Sequence, residues 1–191
     1  MKTRPVLPAA VPAARRAQRI AHGIGRAAAI ALLCAATSCG TNDPAADAAK
    51  PWIRKAEVGG TDQRAEAVAE LAKISHPSVV APLLKIARSD AVPGNRIAAV
   101  RALGRPGLAV DAAQLAPLLD AEDALLAVAT AESLAALRDA AATAALSARL
   151  ERGGAAPVQI AVVQALATLP GGVTALAARF ARTGTAPDEA A

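Results

Sequence analysis

RAEAVAELAKI (64–74) decides the fold, because it returns three more times in altered form. The later copies are RIAAVRALGRP (96–106), AVATAESLAAL (127–137) and QIAVVQALATL (159–169). Leu71, Leu103, Leu134 and Leu166 mark the same place in each copy, 32, 31 and 32 residues apart. Three residues further on stand Ile74, Pro106, Leu137 and Leu169. Within each copy the apolar residues recur at helical spacing, as in Val68, Leu71 and Ala72. A near-constant period of this length is the mark of a repeat architecture, in which one supersecondary unit is stacked several times.

A break follows each copy: Ser75-His76-Pro77, Gly104-Arg105-Pro106-Gly107, Arg138-Asp139 and Pro170-Gly171-Gly172. Beyond each break runs a second apolar segment: VVAPLLKIAR, AAQLAPLLD, AATAALSARLER and VTALAARFAR. Asn95 and Asp120 are read as helix N-caps, and Pro157 suits a first helical turn. The unit is helix–turn–helix, four times over, across residues 61–187. Each pair is too thin to bury its own apolar faces, so stacking is what makes a core.

Composition agrees with this reading. Hydrophobic residues make up 54% of the chain but aromatics only 1%, so the apolar content is mainly Ala, Leu, Val and Ile. Ala and Leu are strong helix formers, whereas a β-sandwich draws on β-branched and aromatic side chains.

The pattern resembles the short HEAT-like repeats of bacteria, the variety related to phycobilisome lyases. Arg64 and Arg96 head the first helices, and the Ala-Val-x-x-Leu and Ala-Val-x-Ala-Leu cores lie at 67–71 and 99–103. Asp120-Ala-Glu-Asp123 stands as the acidic turn between repeats. The third and fourth copies depart from the pattern, with Ala127 and Gln159 in place of the heading Arg. The resemblance implies an all-α fold, a short right-handed α-solenoid of about four repeats. Tetratricopeptide units would need aromatic positions that this chain lacks, and ankyrin units a Thr-Pro-Leu-His signature that is absent.

The segment ahead of the repeats carries an address. Residues 1–26 are basic, an apolar run AAAIALLCAA follows at 27–36, and Thr37-Ser38-Cys39 ends it. A basic start, a short apolar centre and small residues before a cut site form an export signal. The apolar run is about half of the ~20 residues that a spanning helix needs. Its end, Ala36-Thr37-Ser38-Cys39-Gly40, resembles the lipobox of bacterial lipoproteins. That resemblance implies a signal peptide over 1–38 and acylation of Cys39, which becomes the new N-terminus. The family prefers Leu where Ala36 stands, and an ordinary secretory cut nearby is the competing reading. Cys34, preceded by bulky Leu33, leaves with the leader, and Arg15-Arg16 lacks the flanks of a twin-arginine signal.

Locating the charges removes a false lead. The formal net charge of +5 would suit a nucleic-acid binder. Six of the basic residues (Lys2, Arg4, Arg15, Arg16, Arg19 and Arg26) precede Cys39, with no acid among them. From Cys39 onward fifteen basic residues face sixteen acidic ones. The mature chain is near neutral, and one Trp, one Phe and no Tyr give bases almost nothing to stack on. No nucleic-acid partner is expected.

Residues 39–60 read as a flexible linker after the anchor, polar and small, with two prolines and a glycine pair. Trp52 and Ile53 are its exceptions, either capping the first helix pair or forming a docking point. Residues 188–191 read as a disordered tail.

The residues for chemistry are few. His76 is the one histidine beyond the leader, in a turn where a capping role outweighs that of a base. One His and no Cys beyond Cys39 do not make a conventional zinc site. Asp120, Glu122 and Asp123 lack calcium-loop spacing and fit a cluster at a helix N-terminus. No nucleophile elbow or phosphate-binding glycine loop occurs. No catalytic residue, metal or cofactor is assigned. Lys85 and Arg88, Arg149 and Arg152, and Arg179 and Arg182 form pairs three apart on the second helices. They are candidates for a basic stripe meeting an acidic partner, or else cations opposing the negative helix ends.

The expected protein is a non-enzymatic interaction module. It would be a monomer, lipid-anchored to the cell membrane or the outer membrane, facing the periplasm or the exterior, with an unidentified envelope protein as partner. The lyase side of the resemblance leaves a handler of a cofactor or chromophore as a second reading, and a purely structural envelope lipoprotein as a third.

Overall fold

A computed structural model describes residues 43–184. The signal peptide, Cys39 and the 188–191 tail lie outside the described residues. Among the described residues there are nine α-helices and no strand. They are α1 Pro44–Val58, α2 Thr61–Leu71, α3 Val80–Ser89, α4 Pro93–Leu103, α5 Ala112–Leu115, α6 Ala124–Leu137, α7 Ala140–Glu151, α8 Ala156–Thr168 and α9 Gly172–Gly184. Short 3-10 turns lead into α3 (Pro77–Val79) and continue α5 (Ala116–Asp120). The fold is an all-α solenoid of four pairs, α2/α3, α4/α5, α6/α7 and α8/α9, with α1 placed ahead of them.

Local chemistry fixes the boundaries. Asp111, Asp123 and Asp139 cap α5, α6 and α7 by accepting backbone N–H bonds. Pro93 and Pro157 sit in first turns, where a missing N–H costs nothing. Pro117 does the opposite in the second repeat. It withholds an N–H that would extend α5, and the chain tightens into the 3-10 turn. Two capping assignments from sequence are corrected. Asn95 lies inside α4, 5% exposed, with its amide 3.4 Å from Asp90. Asp120 ends a 3-10 turn, and the cap of the next helix is Asp123, three residues on.

The core is one continuous cluster from Ala49 to Leu169. The four marker leucines, Leu71, Leu103, Leu134 and Leu166, are all 0% exposed. Each first helix packs on the next: α2 on α4, α4 on α6, α6 on α8. The helices approach closely where side chains are small. A Cβ added to Gly104 would stand 2.7 Å from the Ser133 Cα on α6, and the Ser133 hydroxyl donates across this junction to the Val100 carbonyl at 3.0 Å. An alanine at 104 would have to push two helix backbones apart.

The linker expectation fails from Asp43 onward. Residues 44–58 are a helix that packs on α2 and buries Ala49 and Ala56. Asp43 accepts from the Ala45 and Ala46 N–H groups, and Pro44 occupies the first turn. Tertiary contact supplies what propensity does not, because Trp52 and Ile53 pack against the core. This is the capping role expected of those two residues. Lys55 joins it, 5.2 Å from the Trp52 ring centre and paired with Glu66 of α2.

Candidate functional site

The six cations of the expected stripe all lie on the second helices or at their ends, but five of them bond to neighbouring structure. Arg149 is buried at 9% exposure. Its Nε donates to the Leu119 carbonyl at 2.9 Å and lies 3.3 Å from Asp120, and its Nη1 donates to the Gly153 carbonyl. Arg152 donates to both oxygens of Asp120, at 3.0 and 2.9 Å. Glu151, at the end of the third repeat, accepts from Arg179 at 3.3 Å and from Arg182. Arg88 reaches the Gln114 carbonyl in the second repeat at 3.0 Å.

The sequence view of these cations as either free or opposing their own helix ends is therefore incomplete. Their bonds run between repeats. An acid at the end of one second helix is held by two arginines of the next, 28 to 32 residues later. Lys85 differs: it is exposed on the rim of a groove of about 310 Å³ that also includes Glu57, Arg64, Ile86 and Asp90.

A second set of contacts escaped the sequence reading. Arg64, at the head of α2, donates through Nε and Nη2 to Asp90 at 2.7 and 3.3 Å, and through Nη1 to the Gly59 carbonyl at 3.0 Å. The Asp90 carboxylate, 2% exposed, also accepts from the Val92 N–H at 2.8 Å. These donors hold its pKa below the ordinary carboxylate value, with the Arg64 bond foremost, against a burial effect of opposite sign. Arg96 repeats the geometry with Asp123, more loosely at 3.5 Å, and its buried Nε has no hydrogen-bond partner among the described residues. The signal in the sequence was an Arg followed by an Asp 26 or 27 residues later. In the fourth repeat Gln159 replaces the Arg and donates to the Gly153 carbonyl at 2.7 Å.

His76 caps, as its turn suggested. Its Nδ1 accepts from the Ser78 N–H at 3.2 Å, and its Nε2 lies 2.9 Å from Asp43. It thereby ties the start of α1 to the turn inside the first repeat. The acidic turn is split in role, with Asp123 capping α6 and Asp120 pairing with Arg149 and Arg152. At the far end, Leu150, Ile160, Val163 and Phe180 line an apolar groove of about 340 Å³ beside α8 and α9. No group of His, Cys, Asp and Glu able to hold a metal occurs among the described residues. No helix among them is long and apolar enough to cross a membrane.

Residues 61–130 match the family described as HEAT repeats. The match runs from α2 into α6 and so spans the region where the Arg–Asp contacts are found. No curated protein matches the chain.

Proposed function

We propose that this chain is a non-catalytic, lipid-anchored scaffold of a bacterial cell envelope. Acylated Cys39 would hold it at the cell membrane or outer membrane, facing the periplasm or exterior. The repeat stack would act as a monomer, presenting its side faces to another envelope protein. HEAT repeats support the scaffold part of this reading. The observation that carries it is the unbroken stack itself, whose four pairs share one core and are fastened to each other by arginine contacts. A long ribbon of helix faces, fixed in spacing, suits the wrapping of an extended partner surface. The lipobox-like stretch at 36–40 supports the anchor.

The test is crosslinking in intact cells. A photo-crosslinking residue would replace Ala113, Ala144 or Ala178, all exposed on second helices. The expected result is one discrete adduct, shared by at least two of these positions and reduced when Cys39→Ala releases the protein from its membrane. No adduct at any of the three would refute the scaffold role of this face. Fatty-acid labelling of the wild type but not of Cys39→Ala would support the anchor, and equal labelling of the two would refute it.

A further inference from the structure

The first helices cover one another in order, and comparing their faces leaves one uncovered. On the front of each, turned toward the next repeat, stand three equivalent positions. They are Ile97, Val100 and Gly104 on α4, Val128, Ala131 and Ala135 on α6, and Ile160, Val163 and Ala167 on α8. Helix α6 covers the first set, where Gly104 lies against Ser133 and the Ser133 hydroxyl donates to the Val100 carbonyl. Helix α8 packs on α6 and covers the second. Val100 and Ala131 are accordingly 0% exposed, and Ile97 and Val128 pack against the core. No first helix follows α8 among the described residues. Val163 is only half-buried, Ala167 is exposed, and Ile160 is 58% exposed on the groove it shares with Leu150 and Phe180. The outermost repeat of a solenoid ordinarily turns a polar face to water, and α8 departs from that.

The backs of the covering helices show what such a front receives. Each brings two small buried residues four apart, Ala129 and Ser133 on α6, Ala161 and Ala165 on α8. Small side chains at this spacing lie on one helix face and let two helix axes come close. The front of α4 also carries a charge, and Arg101 lies 3.8 Å from Glu132 of α6. Helix α8 has Gln164 at the equivalent position and no charged residue from Ala156 to Thr168. Its front therefore asks of a cover only shape and apolar contact. The opposite end of the stack is closed in another way, by α1, with the Lys55–Glu66 pair spanning the joint to α2.

We propose that the front of α8 is a docking surface for one helix of a partner protein, which takes the place of a fifth first helix. The partner helix has two small residues four apart on an uncharged, apolar face and lies along Ile160, Val163 and Ala167. Apolar burial supplies the affinity, as it does wherever an amphipathic helix is laid into an apolar groove. This rests on the scaffold reading and not on the anchor at Cys39, and it adds an end face to the side faces.

The probe is a synthetic peptide with the sequence of residues 155–169, the segment that covers the front of α6 within the chain itself. It carries Ile160→Lys, Val163→Lys and Ala167→Lys, so that it has a back but no front. A side-chain lactam keeps so short a segment helical, as circular dichroism checks. Titrated calorimetrically into the full chain, processed and purified from cells, it should bind saturably and one to one. Ile160→Glu in the protein puts a charge under the probe and should weaken binding roughly tenfold or more. Leu125→Glu, at a 69% exposed position of α6, should leave binding unchanged. A probe with Ala161→Leu and Ala165→Leu added should not bind. No binding by the helical probe, or binding indifferent to Ile160→Glu and to the added leucines, would overturn the proposal. A mass that doubles with concentration, and no longer does so in Ile160→Glu, would also overturn it, because the face would then belong to a second copy. Adducts at Ala113, Ala144 or Ala178 would stand in either case, so the scaffold reading is judged separately.

Discussion

The first two repeats and the last two are fastened in different ways. In the first half an arginine at the head of the first helix reaches the aspartate in the turn ahead, as Arg64 does to Asp90 and Arg96 to Asp123. In the second half the arginines come from the second helices: Arg149 and Arg152 hold Asp120, and Arg179 and Arg182 hold Glu151. Helix packing needs apolar faces at fixed spacing, but a junction can be bridged by any cation long enough to reach an acceptor. The leucine spacing therefore runs through all four repeats, while the charged positions do not. The HEAT-repeat match ends at residue 130, close to where the fastening changes.

If only the fastening differs, the core must respond alike in both halves. Leu103→Ala and Leu166→Ala each remove a fully buried side chain, and each should cost about 3 kcal/mol in urea unfolding. A much smaller loss for Leu166→Ala would mean that the last pair unfolds by itself, and the comparison would then be between two stability units rather than two fastening schemes.

The next effect separates the schemes. Asp90→Ala removes a nearly buried carboxylate that accepts from Arg64 and from the Val92 N–H, and should cost about 2 kcal/mol. Asp120→Ala breaks pairs at a side chain that is 52% exposed, and should cost less than about 1 kcal/mol. Acid adds a second distinction. The pKa of Asp90 is lower in the folded chain than its ordinary value of 3.8. Its contribution is complete above that value and is lost as pH falls through the lower, folded pKa. The stability gap between wild type and Asp90→Ala should therefore be flat near neutrality and narrow below about pH 4. A gap that widened on acidification would show that the carboxylate is not the stabilising form.

Legibility in the sequence follows the same division. The four leucines could be read because a core position must recur wherever the stack recurs, and all four are buried. Helix α1 was missed because Pro44, Pro51 and polar neighbours give it a linker's composition, and its packing depends on small residues, Ala49 and Ala56, that carry no hydrophobic signal. Arg149 was read as a surface cation, since nothing local shows that the Leu119 and Gly153 carbonyls will surround it. The Arg–Asp pairs escaped because each joins residues 26 or 27 apart, off the repeat period, and two instances among four copies do not establish a rule.

The smallest effect is the sharpest test of that last point. Gln159 stands where the first half has its heading arginine, and donates to the Gly153 carbonyl. The aspartates that Arg64 and Arg96 reach stand 26 and 27 residues on, and the corresponding positions after Gln159, Thr185 and Ala186, carry no carboxylate. Gln159→Arg restores the residue that heads the first two repeats without restoring its partner. The new guanidinium would keep a bond to a carbonyl and gain no ion pair, so stability should change by less than about 0.5 kcal/mol. If the arginine alone stabilised the fourth repeat as strongly as Asp90 supports the first, then the heading arginine would act through its packed stem rather than its charge. The contrast between the halves would then be one of burial and not of pairing.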